Sequence, residues 1–118
     1  MPVDRLTRVN ELLKREIAEA LERRRPPELA GTLVSVTEVR CSSDLRNATV
    51  KLSIYGGEAG TALRHVRRLR SEIQRGLAAS LGFKHTPVLD FRIDDRLAAA
   101  DRVLELLNEE DPASAEEA

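Results

Sequence analysis

The chain has 118 residues, 42% of them hydrophobic and 33% charged with a formal net charge of −1, which predicts one domain with an ordinary core. Aromatic residues make up only 3%, which counts against surfaces that stack several bases or sugars on rings. One cysteine excludes an intramolecular disulfide and a thiolate-rich zinc site, and no apolar run approaches the roughly 20 residues of a membrane span.

The first segment predicts a helix from about Val3 to Arg25. Asp4 suits its beginning, and Pro26 and Pro27 would stop it. Apolar residues recur at the helical spacing, so one stripe is expected to face the core. That stripe comprises Leu6, Val9, Leu13, Ile17, Ala20 and Leu21.

Two strands are predicted next, joined by a turn at Ser42-Ser43-Asp44. The first, Thr32 to Cys41, is rich in β-branched residues. The second, Ala48 to Tyr55, alternates apolar and polar side chains strictly. The short link between them predicts an antiparallel pair with one buried face.

A long helical region from about Thr61 to Leu81 precedes the third strand. Gly82 is placed to end the helix, and Val88 to Ile93 alternates as a strand does. Asp94 or Asp95 could cap a last helix that carries Leu97, Val103, Leu104 and Leu107. We expect residues 1–108 to form the domain and residues 109–118 an acidic disordered tail.

Positive charge is concentrated in the long helical region. Between Arg64 and Lys84 there are six basic residues and one acidic residue, whereas residues 105–118 carry six acids and no base. On a continuous helix, one sector of about 100° collects most of these bases opposite the apolar residues. We call this set the arginine face: Arg64, Arg67, Arg68, Ser71 and Arg75. Guanidinium groups bind phosphate oxygens in pairs, so this face predicts a polyanion-binding surface, although a solvated helix face is the simpler alternative.

Arg70 does not fit that continuous helix, because it would point toward the apolar side. Either its side chain reaches outward along the surface, or the helix is interrupted near Leu69-Arg70-Ser71. Gly76 is a second weak point in a helix interior. A helix, a break and a second helix between the second and third strands is therefore one of the two arrangements that the pattern supports.

Three short motifs, in this order and spacing, resemble the bacterial ribosome-binding factor A family over residues 5 to about 107. They are Arg5-x-x-Arg8-Val9, then Val36-Thr37-Glu38-Val39 with Ser42-Ser43-Asp44-Leu45-x-x-Ala48-x-Val50, and finally Pro87-x-Leu89-x-Phe91-x-x-Asp94. The resemblance implies an α+β, type II KH-like fold of the order helix-strand-strand-helix-kink-helix-strand, here followed by a C-terminal helix. It also implies a non-catalytic assembly factor that binds the small ribosomal subunit and contacts its rRNA.

The chain departs from the general KH pattern, in which a GxxG loop between two helices holds the nucleic-acid backbone. Gly57-Glu58-Ala59-Gly60 has those letters but lies between a strand and a helix, so we interpret it as a turn. The family's small-residue kink corresponds to Leu69-Arg70-Ser71. RNA contact is therefore assigned to the arginine face, with three additional candidates: Arg5, Arg8 and Lys84.

Two alternatives to RNA binding stand beside it. An enzyme would have to use Asp90, Asp94 and Asp95 as metal ligands or a histidine as acid–base group, and neither histidine has an evident orienting carboxylate. A protein-interaction module could instead dock an acidic partner on the arginine face or associate through a sheet edge. We expect a cytoplasmic monomer without metal, cofactor, small-molecule substrate or membrane partner.

Overall fold

The computed structural model describes residues 4–83, 85–94 and 96 of the chain. Lys84, the predicted last helix and the predicted tail at residues 109–118 lie outside these residues. The elements are α1 (Arg5–Arg23), β1 (Leu33–Cys41), β2 (Asn47–Tyr55), α2 (Ala59–Arg68), α3 (Arg70–Leu81) and β3 (Val88–Ile93). This order confirms the predicted α+β arrangement. Within the described part, no helix is long and apolar enough to cross a membrane.

Helix α1 begins at Arg5, two residues later than predicted, and Asp4 caps it as the sequence suggests. The Asp4 side chain accepts a hydrogen bond from the Thr7 backbone N–H at 2.8 Å, and this bond lowers the pKa of Asp4. The helix ends at Arg23, two residues earlier than predicted. The predicted stripe is buried at Leu13, Ile17, Ala20 and Leu21, and half-buried at Leu6 and Val9.

The three strands form one sheet in the order β1-β2-β3, in which β1 and β2 are antiparallel and β2 and β3 are parallel. The predicted alternation is confirmed, because Val50, Leu52, Leu89 and Phe91 are all fully buried. The register of β1 shifts between Val36 and Glu38, which is a β-bulge. Helices α1 and α2 pack on β1 and β3 respectively, so the core lies between the helices and one face of the sheet.

The predicted interruption of the long helical region is confirmed at Leu69. Leu69 has φ −86° and ψ −2° and separates α2 from α3. Its N–H donates to the carbonyl of Val66, three residues back, which is a tighter turn than an α-helix makes. The two helices therefore share a junction of one residue and bury separate faces.

Helix α3 runs antiparallel to α1. The Ser80 hydroxyl donates to Glu16 Oε1 at 2.8 Å, and Arg24 Nε lies 3.7 Å from Glu72 Oε2. The guanidinium of Arg24 also lies over Gly76, where its Nη2 is 3.3 Å from the position that a Cβ would occupy. The C-terminal half of α1 therefore supports α3 along its length.

Two glycines, one within α3 and one directly after it, are expected to respond oppositely to alanine. Gly82 has φ +63° and no atom within 4 Å of a Cβ, so Gly82→Ala should cost about 1 kcal/mol of unfolding free energy through backbone strain alone. Gly76→Ala meets only the flexible end of Arg24 and removes a helix-interior glycine, so it should stabilise by about 0.5–1 kcal/mol. Urea unfolding of both variants measures this. A destabilised Gly76→Ala protein would show that Arg24 cannot move aside.

Candidate nucleic-acid interface

Four members of the arginine face are exposed, and they lie on both sides of the helix junction. Arg64 and Arg68 belong to α2, whereas Ser71 and Arg75 belong to α3. Arg64 Nη2 donates to Thr61 Oγ1 at 3.3 Å, one turn earlier in the same helix. None of the three arginines forms an ion pair with another residue that the structure describes. We call Arg64, Arg68 and Arg75 the exposed arginines.

Arg67 is not on the exposed surface that the continuous-helix projection assigned to it. It is half-buried, and its Nη2 donates to the backbone carbonyl of Phe91 in β3 at 2.9 Å. The projection assumed one straight helix, whereas α2 ends one residue later and lays its last turn against β3. The side chain of Arg67 thereby contacts the sheet.

Sequence reasoning did not assign a role to Arg70 or Gln74, and the structure places both against β3. Arg70 Nε donates to the carbonyl of Leu89 at 2.7 Å, and Gln74 Oε1 accepts from the N–H of Leu89 at 3.0 Å. The signal for Arg70 was present in the sequence as its misfit on a continuous helix. Nothing in the pattern pointed to Gln74.

Arg5 and Arg8 are exposed but form a separate basic region on α1. Arg5 lines an open depression of about 290 Å³ beside the turn after β1, with Leu45 among its other lining residues. Arg8 precedes Glu16 by two turns, or about 12 Å of helix. Since Glu16 contacts Ser80, near the C-terminal end of α3, Arg8 lies beyond the end of that helix. Arg5 and Arg8 therefore do not continue the surface that the exposed arginines form on α2 and α3.

In the Gly57–Gly60 segment, Gly57 and Glu58 lie in the link between β2 and α2, whereas Ala59 and Gly60 are the first two residues of α2, which begins two residues earlier than predicted. Glu58 is the residue before α2, is exposed, and accepts a hydrogen bond from the Thr61 hydroxyl. A carboxylate at the start of α2 opposes phosphate binding there, because the two groups carry like charge. The segment thus joins β2 to α2 without the phosphate-holding geometry of a GxxG loop.

Two of the three acidic residues proposed as metal ligands in the enzyme alternative, Asp90 and Asp94, are engaged with other groups. Asp94 is 2% exposed, and its carboxylate accepts from the Thr37 hydroxyl at 2.6 Å and from Arg96 Nη2 at 2.8 Å. Asp90 Oδ2 accepts from Arg92 Nε at 2.8 Å, and Asp95 lies outside the described residues. In residues 4–83, 85–94 and 96, no three His, Cys, Asp or Glu side chains are grouped to hold a metal ion.

The single cysteine and the two histidines do not form a catalytic group in the part of the chain that the structure describes. Burial raises the pKa of the Cys41 thiol, which favours the neutral and poorly nucleophilic form. Its backbone N–H donates to Asn10 Oδ1 at 2.8 Å, so this position ties β1 to α1. His65 is half-buried on α2 and His85 is exposed after α3, on opposite sides of the helix junction.

The chemistry that this surface supports is the binding of phosphate oxygens. Each exposed guanidinium offers five N–H donors and remains charged at physiological pH. Three such groups along two helices can follow a chain of phosphates, and Ser71 between them adds a neutral hydroxyl. The surface thus suits a polyanion.

Comparison of the sequence with known proteins identifies relatives that are named ribosome-binding factor A. The family model for ribosome-binding factor A matches residues 5–107. Ribosome-binding factor A of Thermomicrobium roseum is 40% identical over 112 residues, which cover 92% of this chain and 85% of that protein. Ribosome-binding factor A of Rippkaea orientalis is 36% identical over 108 residues, which cover 89% of this chain and 84% of that protein.

Structures of proteins from Thermus thermophilus and Thermotoga maritima have the same fold as this chain. The crystal structure of ribosome-binding factor A from Thermus thermophilus has a TM-score of 0.66 and 28% identity, covering 73% of this chain and 92% of that one. Coordinates of the Thermus thermophilus factor fitted into a cryo-EM map of its complex with the 30S subunit have a TM-score of 0.63 and 29% identity, covering 75% and 94%. A Thermotoga maritima solution structure, at 22% identity and a TM-score of 0.70, covers 86% and 98% and agrees with the α+β KH-like fold.

Proposed function

Because the chain belongs to the ribosome-binding factor A family, we propose that it binds the small ribosomal subunit during assembly and assists the maturation of its rRNA. Family membership over residues 5–107 carries this proposal, and the Thermus thermophilus factor fitted into a 30S complex supports the choice of partner. The activity is binding without a chemical step, metal or small-molecule substrate. The protein would act in the cytoplasm as a monomer.

The exposed arginines supply the surface through which we propose that the protein contacts rRNA. Their charge is not neutralised by any carboxylate of the described residues, so it is available to phosphate. Phosphate contacts orient a protein on RNA without reading sequence, so selectivity must come from the shape of the assembling subunit. Preferential binding to one conformation of the rRNA would stabilise that conformation.

Arg67 is not part of this proposed contact surface, because its guanidinium is engaged with β3. Ser71 lies between the two groups of exposed arginines and stays within the surface. Arg5 and Arg8 would form a second, separate contact on α1, and Lys84 stays a candidate from the sequence alone. A surface of this composition would neutralise about four to six phosphates.

Co-sedimentation with purified small and large ribosomal subunits tests the proposal. We expect the protein to pellet with the small subunit selectively, and log affinity to fall with log salt concentration at a slope of about −3 to −5. A slope near zero would contradict the electrostatic contact. Failure of the protein to pellet with either subunit would contradict the proposed function and direct the search to an acidic protein partner.

The second part of the proposal, assistance in rRNA maturation, has its own measurement. Cells depleted of the protein are expected to accumulate small subunits with immature rRNA ends, while large-subunit rRNA matures normally. Restoring the wild-type chain should restore mature ends. Normal processing in depleted cells would limit the function to subunit binding.

A further inference from the structure

Strand β3 is an edge strand in the described sheet, and half of its backbone groups face away from β2. Val88 N–H donates to the carbonyl of Arg46, and Asp94 N–H donates to the carbonyl of Leu52. Successive residues of a strand direct their N–H and C=O groups to opposite sides. Leu89 and Phe91 therefore direct their backbone groups to the outer edge, away from β2.

Three side chains from the helices each form a hydrogen bond with a backbone group on that outer edge. The Leu89 carbonyl accepts from Arg70 Nε at 2.7 Å, and the Leu89 N–H donates to Gln74 Oε1 at 3.0 Å. The Phe91 carbonyl accepts from Arg67 Nη2 at 2.9 Å. We call Arg67, Arg70 and Gln74 the β3-edge residues. They pair with three backbone groups, at Leu89 and Phe91, that would otherwise be free to pair with another strand, so strand addition at this part of β3 is opposed.

The β3-edge residues lie on both sides of the helix junction. Arg67 belongs to α2, whereas Arg70 and Gln74 belong to α3, and all three bind the same strand. The guanidinium carbon of Arg70 also lies 5.9 Å from the centre of the Phe91 ring, in the range of a cation–π contact. Because Leu69 alone links the two helices, contacts on either side of it to one rigid strand determine their relative orientation.

We propose that the β3-edge residues position the exposed arginines for RNA. This inference rests on the proposed function. Arg68 directly follows Arg67, and Arg75 directly follows Gln74, so each contact with β3 immediately precedes an exposed arginine in the chain. Holding α2 and α3 on β3 therefore holds Arg68 and Arg75 at a set separation. The β3-edge residues contribute to affinity through this separation and without neutralising a phosphate.

Substitution of Arg67 or Arg70 should therefore change subunit affinity and its salt dependence differently from substitution of an exposed arginine. Loss of an exposed arginine that contacts phosphate lowers the salt slope, because one fewer phosphate is neutralised. Arg70 does not tolerate lysine, because a lysine ammonium cannot present the Nε donor that the Leu89 carbonyl accepts or the planar group that lies over the Phe91 ring. Its substitution lowers affinity at every salt concentration and leaves the slope unchanged.

Three variants test the proposal by subunit binding across a salt series. Gln74→Leu removes the acceptor for Leu89 without changing charge, and Arg70→Lys keeps the charge but loses the Nε donor. Arg40→Lys is the matched control, an equal substitution at an arginine that is solvent-exposed on β1 and lies outside the proposed contact surface. We expect Gln74→Leu and Arg70→Lys to bind about 3- to 10-fold more weakly with the wild-type slope, and Arg40→Lys to stay within about twofold.

Urea unfolding and amide hydrogen exchange separate positioning from a loss of folded protein. Binding is measured where each variant is folded, and exchange is expected to accelerate at Arg70 and Ser71 while β2 stays protected. If folded Gln74→Leu and Arg70→Lys bind as wild type does, the inference is overturned although the proposed function stands. If the wild-type protein binds neither subunit, the proposed function is overturned first.

Discussion

A variant carrying Arg64→Glu, Arg68→Glu and Arg75→Glu is expected to lose at least about 100-fold of its affinity for the small ribosomal subunit at moderate salt. Three charge-assisted contacts are removed and three carboxylates then face phosphate, and a loss of about 1 kcal/mol per contact already amounts to more than 100-fold. The salt slope should shrink in magnitude by about 2 to 3, since three fewer phosphates are neutralised. Co-sedimentation across a salt series measures both quantities.

The matched control reverses three exposed arginines that already lie near carboxylates. Arg23 is 3.8 Å from Glu19, Arg40 is 3.6 Å from Glu38, and Arg46 is 4.0 Å from Asp44. The triple variant Arg23→Glu, Arg40→Glu and Arg46→Glu has the same net charge as the first. All three positions lie outside α2 and α3, and salt weakens the interactions between exposed charges that are not in contact, so this variant should stay within about threefold of wild type. Equal losses in the two variants would show that total charge matters and the location of the arginines does not.

Arg67 is left intact in the first variant for a structural reason. A glutamate there would place a carboxylate beside the carbonyl of Phe91, which accepts a hydrogen bond from Arg67 at 2.9 Å. Repulsion between the two oxygens would loosen α2 from β3. Loss of binding could then reflect a disturbed fold instead of a lost phosphate contact.

Asp94→Asn is expected to lower the unfolding free energy at neutral pH by about 2 kcal/mol. The buried carboxylate of Asp94 accepts from the Thr37 hydroxyl at 2.6 Å and from the backbone and guanidinium of Arg96. An amide at this position presents two N–H donors to groups that are themselves donors. Hydrogen bonds to charged groups contribute about 1.5–3 kcal/mol each, and the exposure of Arg96 reduces its share. Urea unfolding measures the difference.

The stability that Asp94 supplies should depend on pH with a defined sign. The side-chain bonds from Arg96 hold the pKa of Asp94 well below its ordinary value of 3.8, against the opposing effect of burial. A lowered folded-state pKa gives stability that is present above the unfolded pKa and lost as pH falls through the folded pKa. The gap between wild type and Asp94→Asn should therefore narrow by roughly 1 kcal/mol between pH 6 and pH 3.

Thr37→Val provides the control for the Asp94 network. Thr37 lies at the bulge of β1, so its hydroxyl reaches Asp94 at the end of β3 across the intervening strand. A double-mutant cycle of Thr37→Val and Asp94→Asn should give a coupling of about 1 kcal/mol, because the two substitutions remove one shared bond. A gap that does not change with pH, together with zero coupling, would show that the carboxylate charge contributes nothing to stability.

The elements and the core were predictable because their signals are local. Strict alternation in β2 and β3 predicted the burial of Val50, Leu52, Leu89 and Phe91, and all four are buried. Asp4 and Gly82 predicted helix ends correctly, since a side-chain cap and a left-handed residue act within one turn of the helix. The three motifs predicted the family, which the family model confirms over residues 5–107.

The helix junction was predictable only as a possibility. Arg70 on the apolar side of a continuous helix indicated either an outward-reaching side chain or a break, and the sequence pattern left both open. The structure shows the break at Leu69. It also shows why Arg70 points inward: its Nε donates a hydrogen bond to the Leu89 carbonyl oxygen at an N–O distance of 2.7 Å. That carbonyl is 19 residues away in the chain, beyond the reach of any local pattern.

The sequence alone determines the order of the elements, the family, and the concentration of positive charge between β2 and β3. It does so because periodicity, helix caps and motif spacing depend on residues that are neighbours along the chain. The division of that charge into exposed and structural arginines does not follow from it. Arg64, Arg68 and Arg75 remain exposed, while Arg67 and Arg70 bind backbone carbonyls of β3. A helical projection groups Arg67 with the exposed arginines and leaves the role of Arg70 open. The five differ because the edge of β3 needs donors, and only the packing of α2 and α3 against that strand determines which arginines supply them.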